Sequence, residues 1–331
     1  MFMRTMPSRL RRTLSAAIAT IAAVVLLAAS SPLSQAADGP GDNGKYGVRV
    51  LVITMFSGET QPWLSRESLP IQIDVPTANT PLHCSRSGLC VATVGEGKSN
   101  AATSMMAILD SPRLDLHNAY FITAGIAGAS PKTGTLGFAA WARWVVDWDL
   151  GHHLLPETAP GVPYGYLRFD DQTNTNAFRL NDKLINGAYE LTKNLPLSDS
   201  AEAVDNRSHY AGQAGQHPYV ARCDTMTGDD YWNGAQLSEE AQYITGQWTN
   251  NQGVYCTTQM EDNATAAALA RHGLLDRYLS LRTASDFDQP YPGQSVRDAL
   301  AHFPGYQPAV DNEYLVGSTV AHYLLTHPSL P

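Results

Sequence analysis

Two glycine-rich segments are the first residues in this chain whose types and spacing suggest chemistry. Gly95-Glu96-Gly97-Lys98-Ser99 follows the apolar run Leu89 to Val94 and precedes an Ala/Met/Leu stretch, Ala101 to Leu109. A strand running through such a turn into a helix aims backbone N–H groups and the positive end of the helix dipole at whatever lies in front, which favours an oxygen-rich or anionic ligand. The segment nearly matches a phosphate-binding loop, but that motif's first glycine would fall at Ala92, inside the strand, so an ATP site is not expected. The plainer reading is a tight turn that uses glycine for its backbone angles. A second segment, Thr123-Ala124-Gly125-Ile126-Ala127-Gly128, follows the run Ala119 to Thr123 and reads as another glycine loop. Loops after neighbouring strands share one sheet edge, where α/β proteins bind ligands, so Gly97 and Gly125 are expected within about 20 Å of each other.

The elements that must position these loops can be read from the apolar pattern. Val48 to Thr54, Leu89 to Val94 and Ala119 to Thr123 are short runs apolar on both faces, as buried strands are. Ser99 or Asn100 is expected to cap the helix Ala101 to Leu109, and Pro112 to end it. Phe138 to Leu150, with Trp141, Trp144 and Trp148, reads as a long strand. Ala177 to Leu191 and Leu237 to Thr245 read as helices, and Gln213 to Pro218 as a surface loop. Val254 to Met260 is a strand, Asp262 to His272 an Ala-rich helix, Tyr278 to Ala284 a strand and Asn312 to Leu325 a closing helix. This alternation predicts an α/β fold, a three-layer α/β/α sandwich with a mixed central sheet. It occupies one domain over 45–331, after a flexible Gly/Asp/Pro-rich lead-in at 37–44.

At the amino terminus Arg4, Arg9, Arg11 and Arg12 precede an apolar run from Ala16 to Ala29, and Ser34-Gln35-Ala36 offers a small-x-small cleavage site. That is the layout of a signal peptide over 1–36, and it predicts an exported, periplasmic or secreted protein. The Arg11-Arg12 pair partly matches a twin-arginine signal. After signal removal no stretch is long and apolar enough to span a bilayer as a helix. The net charge of -9 argues against nucleic acid, whose phosphates require clustered Lys and Arg. Cys84, Cys90, Cys223 and Cys256 all lie in the exported part, and four cysteines allow three pairings. Joining Cys84 to Cys90 closes a short loop and leaves Cys223 for Cys256. No Cys-x-x-Cys or helically spaced histidine pair suggests a metal.

The order of several motifs carries a more specific resemblance. Cys90 through Gly97, Asn100-Ala101-Ala102, the second glycine segment and Gly134 resemble the core of the nucleoside phosphorylase and nucleosidase superfamily. Thr227-Gly228-Asp229, Thr258-Gln259-Met260-Glu261 with Ala266-Ala267-Ala268, and Ala284-Ser285-Asp286 resemble its later motifs, in the same order. The exported, Trp-rich form is more narrowly similar to the purine nucleoside permeases. That family's name implies transport, for which this chain by itself has no spanning segment.

The resemblance implies a purine nucleoside as ligand, no cofactor, and self-association into a homo-oligomer. It makes Asp286 the acid that protonates the leaving purine, a role requiring a carboxyl kept neutral by burial. Ser285 stands beside it. Glu261 would accept hydrogen bonds from ribose hydroxyls, with Met260 against the sugar face and Gln259 assisting, and Gly97 and Gly125 would contact the substrate. Trp248 fits the purine-stacking position best, with Tyr231 and Phe287 as other candidates. The family's phosphorylases hold phosphate with an arginine and a serine where this chain has Thr123 and Ile126. Glu59, in Met55-Phe56-Ser57-Gly58-Glu59, falls where the nucleosidases keep a water-activating carboxylate, so hydrolysis is favoured over phosphorolysis, with binding without cleavage as the alternative.

Overall fold

The computed structural model describes residues 44–168 and 175–331. The expected signal peptide, 1–36, and the lead-in up to residue 43 lie outside the described residues. Ten strands form the main sheet. They are β1 (Val50–Thr54), β2 (Ile71–Ile73), β3 (Leu82–Cys84), β4 (Leu89–Thr93), β5 (Tyr120–Ala129), β6 (Ala139–Asp147), β7 (Ala177–Arg179), β8 (Val220–Thr227), β9 (Tyr255–Gln259) and β10 (Tyr278–Phe287). The helices are α1 (Ser57–Arg66), α2 (Lys98–Leu109), α3 (Asp182–Thr192), α4 (Ala201–Ser208), α5 (Ala235–Thr249), α6 (Asp262–Arg271), α7 (Val296–Ala301) and α8 (Tyr306–Thr326).

The mixed sheet expected from the sequence is present. β1 lies parallel between β4 and β5, β5 runs parallel to β10, and β8 lies parallel between β6 and β9. The pairings of β9 with β5 and of β10 with β6 are antiparallel. Those contacts close β5, β10, β6, β8 and β9 into a ring, so one half of the sheet curls upon itself while the other stays open toward β2. β1 is buried at all five positions and β10 at all ten, as strands covered on both faces must be.

Four local expectations change. The second glycine segment is not a loop: Gly125 and Gly128 lie inside β5, which continues to Ala129 because β10 pairs with it along its length. Neither Ser99 nor Asn100 caps α2. The helix starts earlier, after Gly97, whose φ of 85° turns the chain. Asn100 sits in the first turn and donates to the Glu96 carbonyl. Ala177 to Leu191 is a short strand, β7, followed by α3. Asn181 accepts from the N–H groups of Lys183 and Leu184 and so starts a helix where the sequence pattern suggests continuation. Finally, α1 was hidden by Gly58 and by Pro62, both poor helix residues. A Cβ at Gly58 would meet the Tyr306 hydroxyl at 2.2 Å, so a larger residue there would displace that side chain.

Cys84 is bonded to Cys90 and Cys223 to Cys256, one of the three connectivities the sequence left open. The second bond ties β8 to β9, which carry successive cavity-lining residues at their ends. Closing a loop of that size removes roughly 3–4 kcal/mol of chain entropy from the unfolded state. Among the described residues no helix is long and apolar enough to cross a membrane.

Candidate functional site

The ends of β1, β8 and β9 and the bulged end of β10 converge on a cavity of about 450 Å³. Its wall includes Met55 and Glu59, Ile126 to Gly128 of β5, Thr258 to Glu261, Arg282, Ser285 and Asp286, with Tyr231, Phe303 and Tyr306 at the aromatic side. Of the predicted residues, Glu59, Gln259, Met260, Glu261, Ser285 and Asp286 therefore meet around one space although they come from distant parts of the chain.

A β-bulge makes the acid end. The pairing of β10 with β5 slips between Ala284 and Asp286, leaving Ser285 as the extra residue, a common device for re-aiming a side chain. Ser285 Oγ donates to one Asp286 oxygen at 2.7 Å and the Tyr231 hydroxyl to the other at 2.9 Å. Burial pushes the Asp286 carboxyl up to about 6, although both hydroxyls pull it down.

The opposite wall is a network around Arg282, a residue the sequence reading missed. Its guanidinium is buried and donates to Asp262 at 2.6 Å, Glu261 at 2.9 Å, Gln259 at 3.2 Å and the Ile126 carbonyl at 3.0 Å. It lies four positions before Asp286 on the same strand, and a positive charge inside a strand whose ten positions are all buried leaves no local trace of the partners it will meet. Glu261 also accepts from the Gly97 N–H at 2.8 Å, which leaves acceptor capacity on the carboxylate. Glu59 accepts from the N–H groups of Met55 and Ile126, each at 2.8 Å. Burial raises Glu59 to about 8, with Arg282 opposing the rise and Glu261 adding to it.

Three predicted contacts take other positions. Gly97 and Gly125 do not line the cavity but lie behind its wall, Gly97 at the turn before α2 and Gly125 within β5. Gly97 spends its N–H on Glu261, and a Cβ on Gly125 would lie 2.8 Å from Glu59 Oε1 and 2.9 Å from Arg282 Nη1. Trp248 is outside the cavity: it belongs to a separate apolar cluster, where its indole donates to the Tyr166 hydroxyl at 2.7 Å. The reason is that α5 turns that face toward Tyr166 and Val146 rather than toward β10. Phe287 also points away and packs on Tyr210. Of the three stacking candidates, Tyr231 is the one on the cavity. Gln259 lines the space, but its amide is engaged with Thr227, Arg282 and the Glu261 and Asp262 N–H groups.

The anion site suggested by the first glycine loop is filled by the protein's own carboxylates. Gly97 N–H meets Glu261 and Lys98 N–H meets Asp229, while the Lys98 ammonium pairs with Asp147 and Asp149. Thr123 hydrogen-bonds to the Tyr278 hydroxyl in the core. Among the described residues Arg282 is the single cation on the cavity wall, and two carboxylates already hold it.

The family model described as purine nucleoside permease matches residues 47–329. The chain belongs to this family. A Schizosaccharomyces pombe protein named a probable purine nucleoside permease is 34% identical over 87% of this chain and 92% of its own length. A Candida albicans purine nucleoside permease is 33% identical over 84% of this chain and 75% of its own. Among solved structures, a 5′-methylthioadenosine/S-adenosylhomocysteine nucleosidase from Colwellia psychrerythraea, in complex with adenine, superimposes with a TM-score of 0.56 at 17% identity. It covers 84% of this chain and 96% of that one. Futalosine hydrolase of Helicobacter pylori gives 0.56 at 14% identity, over 83% and 98%. At these identities the likeness is one of fold: the family shares the nucleoside phosphorylase/nucleosidase architecture.

Proposed function

We propose that this protein, exported by its amino-terminal segment and folded as one domain over 45–331, binds a purine nucleoside in the cavity and hydrolyses its N-glycosidic bond. The observation that carries the reading is the convergence of Glu59, Glu261 and Asp286 around a space whose single cation among the described residues is already neutralised. Breaking the bond between C1′ and the base nitrogen leaves positive charge on the sugar and sends the electron pair to the purine. Asp286 delivers a proton to that leaving base, water attacks C1′, and Glu59 takes the proton that water loses. Glu261, with acceptor capacity to spare, holds ribose hydroxyls, and the Tyr231 ring offers a face to the purine. A phosphate dianion would enter against these carboxylates with no free positive partner, which disfavours phosphorolysis.

The relatives' names favour a second reading, a nucleoside-binding component of uptake that does not cleave. Incubating the purified protein with inosine, adenosine or guanosine, with and without phosphate, and assaying for free base separates the cases. Base released without phosphate is expected. Release that depends on phosphate would make it a phosphorylase, and saturable binding without release would leave the uptake role.

A further inference from the structure

Both Asp286 oxygens accept hydrogen bonds, and their partners differ in kind. Ser285 is its neighbour on β10, is buried, and also reaches the Ala127 carbonyl at 3.2 Å. Tyr231 comes from the segment between β8 and α5, and the residue is 45% exposed. On either side of it the segment is pinned. Asp229 N–H donates to Asp149 at 3.0 Å, Trp232 is buried, Asn233 donates to the Phe287 carbonyl at 3.2 Å, and Gly234 N–H donates to the Asp288 carbonyl at 2.8 Å. The Tyr231 side chain meets Phe303 edge-on, with centroids 6.3 Å apart, and is held less closely than the anchored backbone on either side of it.

We propose that Tyr231 is a substrate-displaced latch: its hydroxyl holds one Asp286 oxygen and keeps that carboxyl ionised, and an arriving purine displaces this hydroxyl from the carboxyl, leaving Asp286 to acquire the proton it passes to the base. This rests on the nucleoside reading of the cavity and concerns its regulation. The chemistry follows from the donors. An ionised carboxylate is the best acceptor for two hydroxyl groups, so the latched state favours the form that is no use as an acid. Removing one donor and covering the carboxyl with an apolar ring both favour the neutral form. The acid is then armed only when a base is present. Tyr210, Tyr255 and Asp288 also surround Asp286 and none of them is cationic, the tyrosines being raised by burial; of the titratable groups on the cavity wall, Glu59 and Glu261 are acids and the Arg282 guanidinium is engaged by Glu261 and Asp262.

Calorimetric titration with inosine and with hypoxanthine at pH 7, in buffers of different ionisation enthalpy, measures both affinity and the protons taken up on binding. The wild-type protein is expected to take up a proton, and Asp286→Asn to lose that uptake, which separates Asp286 from Asp288 and Glu59. Tyr231→Phe keeps the ring and removes the latch. It should bind roughly three- to tenfold more tightly, the gain expected when one hydrogen bond no longer has to be exchanged. Its uptake at pH 7 should be smaller, because the free carboxyl is already more protonated. Binding with no proton uptake, or a Tyr231→Phe protein with unchanged affinity and uptake, would overturn the latch while leaving the nucleoside site standing. Weaker binding by Tyr231→Phe would make the hydroxyl a lasting ligand contact and equally overturn it. Failure of the wild-type protein to bind either probe would remove the functional reading itself.

Discussion

Asp286 and Glu59 set the behaviour expected of single residues. Asp286→Asn keeps the shape of the side chain and removes the transferable proton, so turnover should fall about a hundredfold or more while nucleoside affinity is largely kept. Equal turnover in the variant, measured as free base released, would take Asp286 out of the mechanism. The pH dependence follows from the two carboxyls. The proposed hydrolysis needs Asp286 protonated, a form lost as pH rises above about 6, and Glu59 ionised, a form lost as pH falls below about 8. The productive combination is thus a minor one, about one molecule in a hundred at pH 7, and it is constant between the two values. The kcat/KM profile is therefore expected to be flat from about pH 6 to 8 and to fall on both sides. A profile still rising above pH 9 would contradict these assignments.

At the scale of elements, β5 and β10 do the positioning. A glycine at 125 lets the β5 backbone approach Glu59 and Arg282, and alanine there would place its methyl 2.2 Å from Met55 Cε as well. The Met55 terminus can move, but Glu59 and Arg282 are fixed by several hydrogen bonds. Gly125→Ala should cost roughly 1–3 kcal/mol in a denaturant titration and lower turnover with it. Gly128→Ala, whose nearest neighbour is a Thr258 methyl at 3.1 Å, should cost less. If the two variants were equally stable and active, the crowding at Gly125 would not be what holds the site.

For the whole molecule, the buried acids make a prediction opposite to the usual acid denaturation. Burial raises Glu59 to about 8, Asp288 to about 7, Asp286 to about 6, and Glu313 well above its ordinary value. Each of these holds its proton in the folded state at a pH where the unfolded chain, near 4, has lost it. The folded state then binds more protons, so its stability falls as pH rises from about 4 through 8. The thermal midpoint should accordingly decline between pH 5 and pH 8, and Glu313→Gln, which removes an acid coupled to Glu59, should flatten the decline. A midpoint that rises over this range would show that these carboxyls ionise in place.

What the sequence by itself determined was whatever local pattern controls. The apolar runs of β1, β4 and the start of β5 mark buried strands because no polar residue interrupts them enough to face water, and Asp262 to Arg271 is helical because alanine dominates it. The motifs around Glu261 and Asp286 were legible for the same reason, being short and contiguous. Tertiary structure alone decided the rest. Whether Gly125 lies in a loop or a strand depends on β10, more than 150 residues away, pairing along β5. Whether the Gly97 turn accepts an anion depends on Glu261 and Asp229 arriving at its N–H groups first. Tyr231 rather than Trp248 meets the cavity because α5 turns its indole toward Tyr166, and Arg282 becomes part of the site only when ring closure brings Asp262, Glu261 and Ile126 around it. Side chains whose partners lie far along the chain leave no local trace of where they point, because local sequence sets backbone preference and long-range closure sets direction.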